Sequence, residues 1–264
     1  VAPNKSASTD TDLNNVNLFY DFFNQPAMGG DGGWLVVNGI NTQTNNHDSG
    51  KSGVWSGNLN VNEFPCLAAL YAGCTMPTLP FAFSNFGYYS TTRNLVPKVA
   101  MGNTGLIDTL ANPNAINTTT RFFEEDIFQE IETARKNRIS TLQSRETLPE
   151  KKYQLSTLYT TEENLSQMKV FKASLDSSPA ITAPFNKSGM SSQARIACAA
   201  FKAGLAVSAN LSIGGFDTHG DHDNNQCTSL ARLLIGIKYL IQEAGRQGIA
   251  DRMTIIVGSD FGRT

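Results

Sequence analysis

Long apolar runs are missing from this sequence. Stretches such as Leu233-Leu234-Ile235 and Ile255-Ile256-Val257 fall far short of the roughly 20 residues that cross a bilayer as a helix, so no membrane-spanning segment is expected. An excess of one charge is missing too: 21 Lys+Arg face 23 Asp+Glu, which argues against a generally basic nucleic-acid surface. With 40% apolar and 17% charged residues, wholesale disorder is excluded. Cysteine amounts to four residues, Cys66, Cys74, Cys198 and Cys227, without the paired CxxC spacing of a structural zinc site. A chain of 264 residues does not need disulfides to fold, so buried thiols are the plain reading. In an exported protein Cys66 with Cys74 is the most economical local bridge, although four cysteines permit three full pairings. The opening Val1-Ala2-Pro3-Asn4-Lys5-Ser6 has no initiator Met, basic n-region or apolar h-region and reads as processed or cropped. The stop at Thr264, just after an apolar strand and its loop, reads as the end of a fragment.

What is present is a βα rhythm, and the length suits one α/β domain with an insertion. Trp34-Leu35-Val36-Val37 is a short continuous apolar run of the kind found in buried parallel strands. Phe64, Leu67, Ala68 and Tyr71 recur at helical spacing, with Gly73 as a stop. Residues 77 to 119 yield little beyond a strand at Phe81-Ala82-Phe83. Residues 120 to 176 turn rich in Glu, Lys, Arg and Gln, with Phe123, Ile127, Ile131 and Ala134 in one stripe and Leu165, Met168, Phe171 and Leu175 in another. Two antiparallel helices separated near Pro149 are expected there, as a peripheral insertion. A helix over Ala194 to Ala203, a strand over Leu205 to Ile213, a long helix over Ser229 to Ala244 and a strand over Met253 to Val257 complete the pattern. The strands near 34 to 37, 205 to 213 and 253 to 257 are expected to share one largely parallel sheet.

Histidine is scarce, three residues in all, and each sits in a polar cluster after an expected strand: His47 in NNHDSG, and His219 with His222 in GGFDTHGDHDNN. The second cluster crowds Asp217, Asp221 and Asp223 beside two imidazoles, where like charges repel unless solvent, cations or metal ions compensate. A divalent metal is the obvious compensator. The plainer reading is a solvated loop whose Asp223 or Asn225 caps the next helix. Asp260, two positions beyond the last apolar run, is a further ligand candidate, and the planar fork of Arg263 suits a tetrahedral oxyanion.

The pieces VNGINTQTNNHDSGKSGVWSG, GGFDTHGDHDNNQ and IIVGSDFGRT, in that order, resemble the motif series of the DUF1501 family, a bacterial family grouped with the alkaline phosphatase/sulfatase superfamily. The resemblance implies a three-layer α/β sandwich around a mostly parallel sheet, with divalent metal ions, zinc foremost, at the strand ends. It assigns Asp217, His219 and Asp260 as metal ligands, with His222 in reserve. The segment from Asp48 to Gly57 also resembles the nucleophile segment of alkaline phosphatases, which makes Ser49 the attacking residue; many family members carry SHF where this chain has NHD, so His47 matches better than Ser49. The family's opening GG-x-D strand and a His-containing segment after FGR have no counterpart here. Hydrolysis of a small-molecule or polymer-linked phosphate or sulfate ester is the implied activity, and no nucleic-acid partner is expected. A non-catalytic binding protein on the same fold is the alternative. Relatives with twin-arginine leaders imply the periplasm or the cell surface.

Overall fold

A computed structural model describes residues 44, 46–56, 64–73, 81–84, 98–100, 111–117 and 119–259 of the chain. Most of these residues are helical. In chain order the main elements are α1 (His47–Ser56), α2 (Phe64–Gly73), β1 (Phe81–Ser84), β2 (Lys98–Ala100), α3 (Glu125–Arg145), α4 (Pro149–Ser177), α5 (Gly189–Lys202), β3 (Ala206–Asn210) and α6 (His222–Gln247).

The centre is the pair α5 and α6. Alanines supply much of the buried face of α5 (Ala194, Ala197, Ala199 and Ala200), while α6 contributes Ala231, Leu234, Ile235, Ile237, Tyr239, Leu240 and Ala244. Small side chains on one helix let the other approach. At Gly236 a Cβ would lie 2.8 Å from both Met190 Cε and Ser188 Oγ, so only glycine fits that crossing as it stands. Met168 and Phe171 from α4 join the α5 alanines and Leu205 in one cluster, and Tyr239 and Leu240 join Ala194 and Cys198 in another.

Among the described residues the strands form one small sheet of order β2-β1-β3, with both pairings parallel. The β1–β3 register runs from Phe81 opposite Ala206 to Ser84 opposite Asn210, with an irregularity between Phe81 and Ala82. Helix α2 packs on β3 and β1, and the Ser208 hydroxyl donates to the Pro65 carbonyl.

The expected three-layer sandwich is not what the chain builds. Residues 253–257 carry no strand: they extend past the 3₁₀ turn Ala250–Arg252 and seat Met253 and Ile255 against the α6 clusters, leaving Ile256 and Val257 exposed. An apolar run reports a tendency toward burial, and helix side chains satisfy it as well as a sheet does. Of the strand expected over 205–213, five residues form β3, Ala206–Asn210. The run at 34–37 lies outside the described residues. Among the described residues the outcome is a helix-dominated fold with a small sheet rather than a sheet sandwiched between helical layers.

The helix pair between 120 and 176 is there as α3 and α4, joined through Glu146, Thr147 and Leu148, with Pro149 at the first turn of α4 where its missing N–H costs nothing. Its two stripes differ in fate. Met168 and Phe171 are buried, whereas Phe123, Ile127 and Ile131 face solvent and α3 buries only Ile139. Among the described residues no helix is long and apolar enough to cross a membrane.

Candidate functional site

The chain leaves β3 under control of one side chain. Gln193 of α5 accepts from the Ser212 amide at 2.8 Å and donates to the Ser212 carbonyl at 2.9 Å, replacing the ladder partner that β3 loses after Asn210. The loop from Gly214 then curls back over the first turns of α6. Gly215 sits at φ +96°, and its carbonyl accepts from the Ser229 hydroxyl at 2.8 Å. A side chain there would meet both an unfavourable backbone conformation and Ser229 Oγ at 3.0 Å.

Gln226 donates to the Phe216 carbonyl at 2.6 Å and, more weakly, to Thr218 Oγ1 at 3.3 Å. The Thr218 amide bonds back to Phe216 O at 3.0 Å, a three-residue turn with Asp217 at its apex. These bonds hold Asp217 out from the scaffold at the carboxyl end of β3, where α/β sheets place their ligands.

Asp217 Oδ2 lies 3.0 Å from His219 Nε2, a hydrogen bond, and 3.9 Å from His47 Nε2, an ion-pair distance when the imidazole is protonated. His47 arrives from a distant stretch of chain as the first residue of α1. That helix is capped by Asn46, whose Oδ1 accepts from the Ser49 amide at 3.0 Å, while Asn46 N donates to Thr44 Oγ1. Ser49 therefore stands in the same first turn as His47, half-buried. The last turn of α1 is pressed by the chain's last described segment: a Cβ on Gly258 would lie 2.9 Å from Val54 and 3.3 Å from the Trp55 ring.

His222 does not join that oxygen. Its Nδ1 is 2.7 Å from Thr218 Oγ1, and the buried threonine orients the ring from beneath. Asp223 and Asn225 do not cap α6. Asp221, in left-handed conformation at φ 44°, occupies the cap position; its carboxylate accepts from Asn224, while Asn225 Nδ2 donates to the Gly220 carbonyl.

The structure thus brings together three of the residues singled out in the sequence, His47, Asp217 and His219. It places Ser49 in the same helical turn as His47 and turns His222 toward Thr218. Asp260 and Arg263 lie outside the described residues, as does the side chain of Asp48. Sequence inspection missed the supports Gln193, Thr218, Gln226 and Ser229. The spacing of His222, Gln226 and Ser229, four and then three residues apart, marks a polar stripe along the start of α6 and was the available signal.

Half-exposed carboxylate–imidazole contacts contribute about 0–1 kcal/mol, too little for this cluster to serve as a structural staple. Although both imidazoles approach one carboxylate oxygen, no group of three or more His, Cys, Asp or Glu among the described residues closes into a metal site.

Fold and site define a helix-rich protein whose strand-end loop presents a carboxylate flanked by two imidazoles. Residues 80–264 match the family described as Protein of unknown function (DUF1501), more than two thirds of the chain, and the chain belongs to that family. No curated protein and no solved structure matches it.

Proposed function

We propose that the chain is a metal-dependent hydrolase of phosphate or sulfate esters, related through its motifs to the alkaline phosphatase/sulfatase superfamily and acting in the periplasm or at the cell surface. The observation that carries this reading is the approach of His47 and His219 to a single oxygen of Asp217, from stretches of chain far apart in sequence. Two imidazoles and a carboxylate are the donor set of zinc chemistry, and donors about 2.0–2.1 Å from a tetrahedral ion lie about 3.3 Å from one another. Among the described residues these three donors do not by themselves close a metal site, so the reading needs a further donor. Asp217, His219 and His47 would hold the ion, with Asp260 added from the sequence motif.

When bound, a divalent ion polarises an ester oxygen and lowers the pKa of a coordinated hydroxyl or water. The chain's own groups prepare the rest. Gln226, Ser229 and the turn at Asp217 hold the backbone from which the carboxylate projects. Ser49, in the first turn of α1, stands at the positive end of the helix dipole, which favours an anionic group, and is the nucleophile of this reading. Arg263 is assigned to an ester oxygen from its motif alone.

Metal analysis of the chain and a panel of phosphatase and sulfatase substrates test the proposal. The expected result is bound zinc or a similar ion, turnover of one ester class, loss of both in Asp217→Ala, and loss of turnover with metal retained in Ser49→Ala. Metal without turnover of any ester would replace the hydrolase with a binding protein. Failure to bind metal would reject the site itself.

A further inference from the structure

Helix α3 is covered on one side only. Phe123, just before it, and Ile127, Ile131 and Leu142 are each between 43% and 50% exposed, while Ile139 alone is buried. The three within the helix, Ile127, Ile131 and Leu142, recur at intervals of four and eleven, which keeps them on one side of a 3.6-residue helix. Ala134 lies on the same side, and with Gln129, Glu130, Thr133 and Asn137 it lines a shallow open depression at mid-helix.

Charge along α3 is divided at the same point. Glu124, Glu125, Asp126, Glu130 and Glu132 precede residue 133, and Arg135, Lys136, Arg138 and Arg145 follow it. The helix dipole accounts for Glu125 and Asp126 in the first turn and Arg145 in the last, since its influence fades within a turn. It does not account for Glu130 and Arg138. These two are eight residues apart, about 12 Å along the axis, too far to pair with one another in one chain.

We propose that this face of α3 is the surface on which two copies of the chain pair, antiparallel, about a two-fold axis near Ala134. An isologous contact must be self-complementary, and a helix acidic in one half and basic in the other becomes so only when its partner runs the opposite way. With the axis at Ala134, Glu130 of each copy stands opposite Arg138 of the other. Ile127 comes within one residue of the level of the opposing Leu142. The small Ala134 lets the two backbones approach, and the depression beside it receives the crossing helix. Two α3–α4 hairpins joined in this way make a four-helix arrangement and remove the exposed stripe from water.

The test is the mass of the 264-residue chain in solution, by light scattering or sedimentation, with circular dichroism and Tm as controls for folding. The expected result is a dimer whose Kd rises at least tenfold in Arg138→Glu, in Glu130→Arg and in Ile131→Asp, with helicity and Tm of the monomer retained. The double variant Glu130→Arg with Arg138→Glu restores dimerisation, because each exchanged acid again faces an exchanged base. A monomer at roughly 100 μM, well above the Kd of typical stable interfaces, overturns the proposal. So does a dimer indifferent to all three single variants, or a double variant that fails to recover. A monomer in which Ile131→Asp lowers Tm by several degrees overturns it in favour of a segment of the same chain lying on the stripe.

Discussion

Gln226 contributes nothing to the hydrophobic core, yet it supports the loop that presents Asp217. Removing its amide in Gln226→Ala takes one donor from the Phe216 carbonyl and leaves the Thr218 hydroxyl to His222. The expected loss of stability is about 1 kcal/mol, the net worth of one ordinary hydrogen bond. The expected loss of metal affinity is larger, about 10- to 100-fold, as for other residues that orient a ligand without touching the ion. Denaturant unfolding and metal titration separate the two effects. A second residue-scale outcome concerns Cys198. Burial, reinforced by the nearby Glu243 charge and opposed by Arg246, pushes its thiol up to about 12. At pH 8 it is the neutral thiol, so thiol reagents should leave Cys198 unmodified in the native protein and reach it only after unfolding, whereas half-buried Cys227 reacts before it. Peptide mapping after labelling checks this.

At the scale of elements, the contact of α5 with α6 and the junction of α4 with α6 carry the stability. Gly236→Ala would drive a methyl group into Met190 and Ser188, and the expected cost is about 1–3 kcal/mol, read from denaturant midpoints. At the other end of α6, buried Glu243 accepts from Ser178 of the α4 cap at 2.7 Å, from Arg246 at 2.7 Å and from Gln247 at 3.0 Å, while Ser174 donates to Gln247. Burial pushes the Glu243 carboxyl up, but hydrogen bonds from Arg246, Gln247 and Ser178 together with the Arg246 charge outweigh it and hold the carboxyl below its usual 4.5. A carboxyl depressed in the folded state contributes stability that is complete above the unfolded value and is lost as pH falls through the folded value. The Tm of the native protein should therefore decline on acidification below about pH 4.5, and Glu243→Gln should lose that part of the decline while being less stable at neutral pH. Helical periodicity located α2 and α3 in the sequence without saying which side would be covered. In α2 the stripe Phe64, Leu67, Ala68 and Tyr71 faces outward although the helix packs on β3 and β1. In α3 the stripe through Ile127 and Ile131 does the same. Periodicity identifies a face; the neighbours decide whether that face is the core.

At the scale of the whole molecule, the site depends on contacts between stretches distant in sequence. Helix α1 carries His47 and Ser49 in its first turn, and Gly258 lies against its last turn at Val54 and Trp55. Gly258→Val should displace α1, shift the Trp55 emission and weaken metal binding by about tenfold, the scale seen when a supporting group is lost, although residue 258 is no ligand. Fluorescence and metal titration on the same variant test the coupling. The sequence alone determined the candidate chemistry, because scarce histidines crowded with aspartates are visible as letters, and it determined the long helices, because their apolar spacing is local. It did not determine the layering. The run Ile255-Ile256-Val257 is as apolar as a core strand, but hydrophobicity does not specify a hydrogen-bonding partner, and here the segment packs by Met253 and Ile255 onto α6 and belongs to no strand among the described residues. Only the tertiary structure decided that His47 meets Asp217 while His222 turns to Thr218, because those outcomes depend on the cap of α1, the turn at Asp217 and the grip of Gln226, each a contact between residues that local pattern leaves unordered.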